Sequence, residues 1–222
     1  MTPLPGKRLA CTTCLRPQSA CICRWVTPVP HPVEVLILQH PLEVDNPKGT
    51  ARLLHLSLPG SRLVTGEVFN DLPDLLAGPP SIDGAPGSAK LNLLLYPETP
   101  QNQMPGMTPT PLAPGDLDNP SRLRLVVLDG TWRKSLKMLC ANPLLQPLPR
   151  LALQDMGPSH YLIRKAHRPD QLSTLEATCA ALAQLQGGAG PLQPLLAAFD
   201  GFVAWQMRYQ TLRGSSTNSS KN

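Results

Sequence analysis

Four cysteines crowd into the stretch Cys11-x2-Cys14-x6-Cys21-x-Cys23. Thiols this close together can close a tetrahedral site, and an all-sulfur donor set suits Zn²⁺. With every position taken by cysteine none is left for water, so the metal is expected to be structural rather than catalytic. The competing reading, four reduced thiols used as small apolar residues, fits poorly beside Arg16, Gln18 and Arg24. Such a site could also shape an RNA-binding surface with Arg16 and Arg24. Cys140 and Cys179 stand alone in apolar helical patterns, so a disulfide framework is not expected.

Asp129-Gly130-Thr131-Trp132 is the second place where chemistry could sit, directly after the apolar run Leu123 to Leu128. An Asp at a strand-to-helix junction is often only a helix cap. A carboxylate at the carboxyl end of a central strand is also where an α/β enzyme places a general base, and the Trp132 indole beside it offers a desolvating wall. Trp132 has a plainer reading too, as core on the apolar face of the next helix. Two basic clusters follow: Arg133, Lys134 and Lys137 on one helix face, and Arg164-Lys165-Ala166-His167-Arg168 further on. They suit phosphate contacts, and a merely solvated face is the alternative. His31, His40, His55 and His160 have no spacing diagnostic of a metal or a triad. No Walker loop, G-x-G-x-x-G fingerprint or G-x-S-x-G elbow occurs, so the common nucleotide-binding and hydrolase classes lose support.

These groups need a scaffold, and 222 residues with 41% hydrophobic content bury one substantial core. The formal net charge of +5 arises with only 16% charged residues, from a scarcity of acids rather than a polybasic tail, and it favours a polyanionic partner. Nowhere do about 18 apolar residues run together, nor is there an apolar leader, so a soluble cytoplasmic protein without a membrane partner is expected. The short apolar runs at 33–39, 62–65, 91–96, 123–128 and 150–153 read as strands. Helices are expected over Ala51–Leu58 capped by Thr50, from Trp132 with Trp132, Leu136, Leu139 and Cys140 on its apolar face, from the capping box Ser173-Thr-Leu-Glu176 to about Gln186, and from Pro191 to about Leu212. The proline clusters Pro73 to Pro86 and Pro97 to Pro120 read as long exposed connections. Strands alternating with helices predict an α/β fold, a largely parallel sheet with flanking helices, whose sites lie beyond the carboxyl ends of the strands.

Leu128-Asp129-Gly130-Thr131-Trp132-Arg133-Lys134-Ser135-Leu136-Lys137-Met138 resembles the DTW-domain tRNA-uridine aminocarboxypropyltransferases. The resemblance covers most of the chain. It takes in the cysteine quartet, His40-Pro-Leu-Glu43 followed by Thr50-Ala-Arg52-Leu-Leu54, then Leu95-Tyr96-Pro97, Asn142-Pro143 and Leu148-Pro-Arg150. Tyr161-Leu-Ile-Arg164-Lys-Ala and Leu172-Ser-Thr-Leu-Glu-Ala177 complete the series. The stretch Val44-Asp-Asn-Pro-Lys48 departs from it, where an arginine and a more standard helix entry are expected.

The resemblance implies a SPOUT-like fold with a C-terminal trefoil knot and, as co-substrate, S-adenosyl-L-methionine in a bent pose. Its contacts would come from Leu95, Tyr96 and Pro97, from Leu128, Gly130, Thr131 and Trp132, and from Tyr161, Arg164, Ser173 and Thr174. It implies transfer of the 3-amino-3-carboxypropyl group to N3 of a tRNA uridine, with release of methylthioadenosine. Asp129 would be the base that accepts the N3 proton, its pKa raised by burial from about 3.9. Thr131 would orient it, and Arg164 would meet the carboxylate of the transferred group. RNA contacts would fall to Arg52, Arg133, Lys134, Lys137, Lys165 and Arg168. The organisation expected is a four-cysteine zinc-binding element at 1–30, a catalytic domain at 31–213 and a disordered tail at 214–222, in a monomer. Two other readings stand beside it: an RNA methyltransferase using the same co-substrate, and a noncatalytic zinc-stabilised RNA-binding module.

Overall fold

The structure is a computed structural model, and it describes residues 9–78, 90–97, 108–154 and 172–218, with side chains followed to Arg208. Its strands are β1 (Glu34–Gln39), β2 (Arg62–Thr65), β3 (Leu91–Leu95), β4 (Leu123–Asp129) and β5 (Arg150–Leu151). They form one sheet in the order β2-β1-β4-β3-β5, with every neighbouring pair parallel. The helices are α1 (Ala51–Ser57), α2 (Leu72–Ala77), α3 (Trp132–Ala141), α4 (Thr174–Gln186) and α5 (Gln193–Asn218).

The period-2 geometry of the strands divides the core into two layers. Val35 and Ile37 of β1 and Leu123, Leu125 and Val127 of β4 pack in a layer with residues of α1, α4 and α5. Leu36 and Leu38 of β1 and Val126 and Leu128 of β4 pack in a second layer with residues of α2 and α3. Strands buried on both faces read as unbroken apolar runs, which is why these were legible. Arg124 interrupts the second face. Only 1% exposed, it makes a two-point ion pair with Glu34, Nε to Oε1 at 2.8 Å and Nη2 to Oε2 at 3.0 Å. It also donates to the Asn92 side chain and the Leu76 carbonyl, so the buried charge is neutralised and hydrogen-bonded.

Several expectations need correction. Thr50 holds the N-cap position of α1 without a side-chain capping bond, and its hydroxyl instead accepts from the Leu175 amide across the fold. On α3 the buried stripe is Ser135, Met138 and Leu139, while Trp132, Leu136 and Cys140 are exposed. The hydrophobic residues were legible there, but the face turned to the sheet is set one position away. Pro73 lies in the first turn of a short helix, α2, that buries Leu72 and Leu75, rather than in an exposed connection. The missing N–H of proline costs nothing at that position. The last helix runs to Asn218, beyond the end expected near Leu212 and into the segment read as a disordered tail. The capping box is present: the Ser173 hydroxyl accepts from the Glu176 amide at 3.2 Å and the Ser173 amide donates to Glu176 at 2.7 Å. At the other end of α4, Gly187 takes the left-handed conformation that closes the helix.

Candidate active site and metal centre

Asp129 is the last residue of β4, and in the parallel register its neighbour on β1 is Gln39, also a last residue. By strand alternation both side chains emerge on the α4 face. The Gln39 amide donates to Asp129 Oδ2 at 2.8 Å, and the Thr174 hydroxyl at the start of α4 donates to Oδ1 at 2.6 Å. Asp129 is only 5% exposed. Two donors on two different oxygens hold the carboxyl group in place. Asp129 is not the cap of α3. That position belongs to Thr131, which makes no side-chain capping bond.

A cleft of about 70 Å³ opens here, with Asp129, Gly130, Ser173 and Thr174 on one side and Glu43, Asn46 and residues 48–50 on the other. Ligand pockets usually measure about 300–1,000 Å³, so this one has room for a few reacting atoms rather than a nucleoside. Glu43, 7% exposed, is held through Oε1 by Lys134 Nζ at 2.7 Å and through Oε2 by the Asn46 amide at 2.6 Å. His40 receives the Leu42 amide on Nδ1 and meets Glu67 through Nε2 at 3.0 Å. Glu67 also pairs with Lys137 at 2.9 Å. Hydrogen bonds from Lys137 and then His40 hold the Glu67 carboxyl below its ordinary range.

The expected site residues do not all come together. Asp129, Gly130, Ser173 and Thr174 converge in the cleft. Tyr96 and Trp132 meet each other instead, edge to face with centroids 5.5 Å apart, and the indole is 55% exposed. Trp132 is therefore not core, and it is not among the residues lining the cleft. Burial pushes the Tyr96 hydroxyl upward against the opposing charge of Arg150, whose guanidinium lies 5.7 Å from the ring centre. Leu95 packs against the first core layer, Leu128 packs inside the second, and Pro97 is exposed. Tyr161, Arg164, Lys165 and Arg168 lie outside the described residues. Of the proposed phosphate-binding face, Lys134 and Lys137 are engaged by Glu43 and Glu67, while Arg133 is exposed and Arg52 half-buried. Gln39, Glu43 and Thr50 were missed. Gln39 carried a signal, a polar residue closing an apolar strand level with Asp129.

The cysteine quartet is drawn together as its spacing predicted. All four sulfurs lie within 4.8 Å of one another, with Cys11 and Cys23 at 3.6 Å and Cys14 and Cys21 at 3.7 Å. A tetrahedron with Zn–S bonds near 2.3 Å has edges of about 3.8 Å, so the donor set fits zinc. Backbone amides of Cys14 and Thr13 pull the Cys11 thiol down to about 6, while burial and the other thiols push Cys23 up to about 12. Thiols crowded in this way resist ionising together unless a cation joins them. Leu15 sits in the left-handed region at φ 60°, a conformation that costs a branched residue about 1–2 kcal/mol and persists only where its surroundings impose it.

The knuckle reaches the cleft through Arg16. Its guanidinium donates to the carbonyls of Pro47 at 3.0 Å and Gly49 at 2.7 Å, and the Gln206 amide of α5 donates to Pro47 as well. The unusual 44–48 stretch is thus tied down from the four-cysteine element and from the last helix, and Arg16 is occupied in holding that loop.

Comparison with known proteins adds the following. The DTW domain family matches residues 8–207. A Drosophila melanogaster protein named tRNA-uridine aminocarboxypropyltransferase 2 is 31% identical, the match covering 91% of this chain and 77% of the fly protein. The Mus musculus protein of the same name is 28% identical over 91% of this chain and 65% of its own length. An Arabidopsis thaliana tRNA-uridine aminocarboxypropyltransferase A is 29% identical over 61% of this chain and 52% of its own length. No solved structure matches. Among the described residues no helix is long and apolar enough to cross a membrane.

Proposed function

The chain belongs to the DTW-domain family, and from that premise we propose that it transfers the 3-amino-3-carboxypropyl group of S-adenosylmethionine to N3 of a uridine in tRNA. The observation that carries the reading is the Asp129 carboxylate, buried at the carboxyl end of the central strand and steadied by Gln39 and Thr174 at the mouth of a cleft. In the reaction the bond from N3 to the γ-carbon forms as the carbon–sulfur bond breaks, and the electron pair leaves with sulfur as methylthioadenosine. The N3 proton passes to Asp129. Gln39 and Thr174 keep the carboxylate from rotating, which holds it in one orientation for the proton transfer. Arg164 is the proposed partner of the carboxylate of the transferred group.

The cleft's small volume supports assigning it the reacting atoms only. The adenosine would then extend toward Leu95, Tyr96 and Pro97, Leu128 and Gly130 to Trp132, with further contacts from Tyr161, Ser173 and Thr174. Zn²⁺ on Cys11, Cys14, Cys21 and Cys23 would supply rigidity and no chemistry, since a four-thiolate shell keeps no open position. The all-parallel sheet with its site at the strand ends supports the SPOUT-like reading, and its knot is proposed from the family resemblance alone. We further propose three parts, a zinc-binding element at 1–30, a catalytic domain at 31–213 and a tail at 214–222, in a cytoplasmic monomer. RNA contacts are proposed at Arg52, Arg133, Lys165 and Arg168, with Lys134 and Lys137 contributing once released from their acids. Mass analysis of tRNA nucleosides from cells with and without the gene tests the reading. Loss of an aminocarboxypropylated uridine is expected, and an unchanged nucleoside profile would count against it.

A further inference from the structure

A second groove, of about 310 Å³, lies where the zinc element meets α5 and shares no residue with the cleft at Asp129. Trp25 lies against Gly201 there: a Cβ at that position would overlap the indole, so only glycine admits the ring. The Arg24 guanidinium lies over both indoles, 4.9 Å from the Trp25 ring centre and 4.6 Å from that of Trp205. Arg24 is exposed, and among the described residues neither it nor Arg208, which lines the same groove, has an ion-pair or hydrogen-bond partner. Two arginines therefore border one aromatic groove, with no acid among the described residues that line it. A guanidinium already ordered by two rings loses little freedom on meeting an anion.

Two indole rings bordered by two exposed arginines match one chemistry closely. Unpaired nucleotides stack their bases on aromatic or guanidinium planes and give their phosphates to arginine, largely without regard to sequence. A carboxylate-rich peptide would use the two charges but not the rings. We propose that this groove docks an unpaired nucleotide of the RNA substrate, its base on the Trp25 and Trp205 surface and its phosphates on Arg24 and Arg208. The proposal rests on the tRNA-modifying reading above and adds an anchor on the zinc element, away from the reacting atoms.

Full-length, zinc-loaded protein and an unmodified tRNA transcript test it, with binding followed by tryptophan quenching and by a salt series. Trp205→Ala is expected to weaken tRNA binding about five- to hundredfold, as loss of one stacked base does, while Trp205→Phe keeps most of the affinity. Arg24→Gln with Arg208→Gln removes two contacts and should flatten the log–log salt slope by about 1.4. Both arginines are exposed, so this variant carries the test if Trp205→Ala does not fold; zinc content and Tm confirm folding. Folded variants that bind tRNA with wild-type affinity and slope overturn the groove, and if wild-type protein still releases methylthioadenosine with tRNA, only the groove has failed. Polyglutamate competing as well as oligouridine would also overturn it, in favour of a general anion site. Wild-type protein that neither binds tRNA nor releases methylthioadenosine with it removes both readings.

Discussion

Replacing Asp129 with Asn separates a base from a structural latch. The carboxylate accepts from Gln39 Nε2 at 2.8 Å and from Thr174 Oγ1 at 2.6 Å. In Asp129→Asn the new oxygen can keep the Gln39 bond while the new NH2 faces Thr174, whose hydroxyl turns round to accept. Neither Gln39 nor Thr174 is then left facing an unpaired group. What is lost is the charge assistance, since such bonds are roughly twice as strong as neutral ones, so the cost should be about 1–2 kcal/mol. For a chain of this size that is a fall in Tm of roughly 2–8 °C. Removing a general base costs about 10²- to 10⁴-fold in rate, or about 2.7–5.4 kcal/mol on the barrier. The two scales are far enough apart to read separately. Methylthioadenosine release in the presence of tRNA is the rate assay, thermal melting the stability assay, and S-adenosylmethionine titration shows that the site persists. A variant that melts a few degrees early yet turns over at the wild-type rate would leave Asp129 a latch between β1, β4 and α4.

Elemental analysis should find one zinc per chain, and Cys11→Ser or chelation should lower Tm sharply, because structural zinc contributes about 10–16 kcal/mol of apparent binding free energy. Arg16→Ala should keep the metal but loosen the cleft wall by breaking the bonds to Pro47 and Gly49, so affinity for the co-substrate falls while zinc content does not. Glu34→Gln strands the buried Arg124 and should cost about 3–5 kcal/mol in denaturant unfolding. In the wild type, burial pushes the Glu34 carboxyl up, but Arg124 and Lys90 outweigh it and hold it below the ordinary range. Its contribution to stability is therefore present above about pH 4.3 and is lost as pH falls through the lower folded value. Arg133→Ala should reduce the magnitude of the tRNA-binding salt slope by about 0.7 for one phosphate, and Lys134→Ala should do less to that slope, because its ammonium is spent on Glu43.

The strands were legible because a sheet covered on both faces writes itself as apolar runs, and Leu123 to Asp129 gives every residue to the interior. The four candidate metal ligands were legible because all four are close in sequence. The interior of the site was less so. Gln39 and Thr174 stand 90 and 45 residues from Asp129 and meet it only through strand register and the packing of α4. The orientation of α3 misled for a different reason. Trp132, Leu136 and Cys140 make a plausible apolar stripe, yet the turn at Gly130 and Thr131 directs Ser135, Met138 and Leu139 to the sheet. Arg16 and Lys134 look like free cations in sequence, and only tertiary contacts reveal the carbonyls and the carboxylate that occupy them.

The central claim concerns which carbon leaves the sulfonium, and the small-molecule product reports it directly. Purified protein is incubated with S-adenosylmethionine and unmodified tRNA, and both the solution products and the digested nucleosides are analysed by mass spectrometry. The account predicts methylthioadenosine in equal amount to an aminocarboxypropylated uridine, with neither formed when tRNA is omitted. S-adenosylhomocysteine together with a methylated nucleoside would contradict it and leave a methyltransferase in its place.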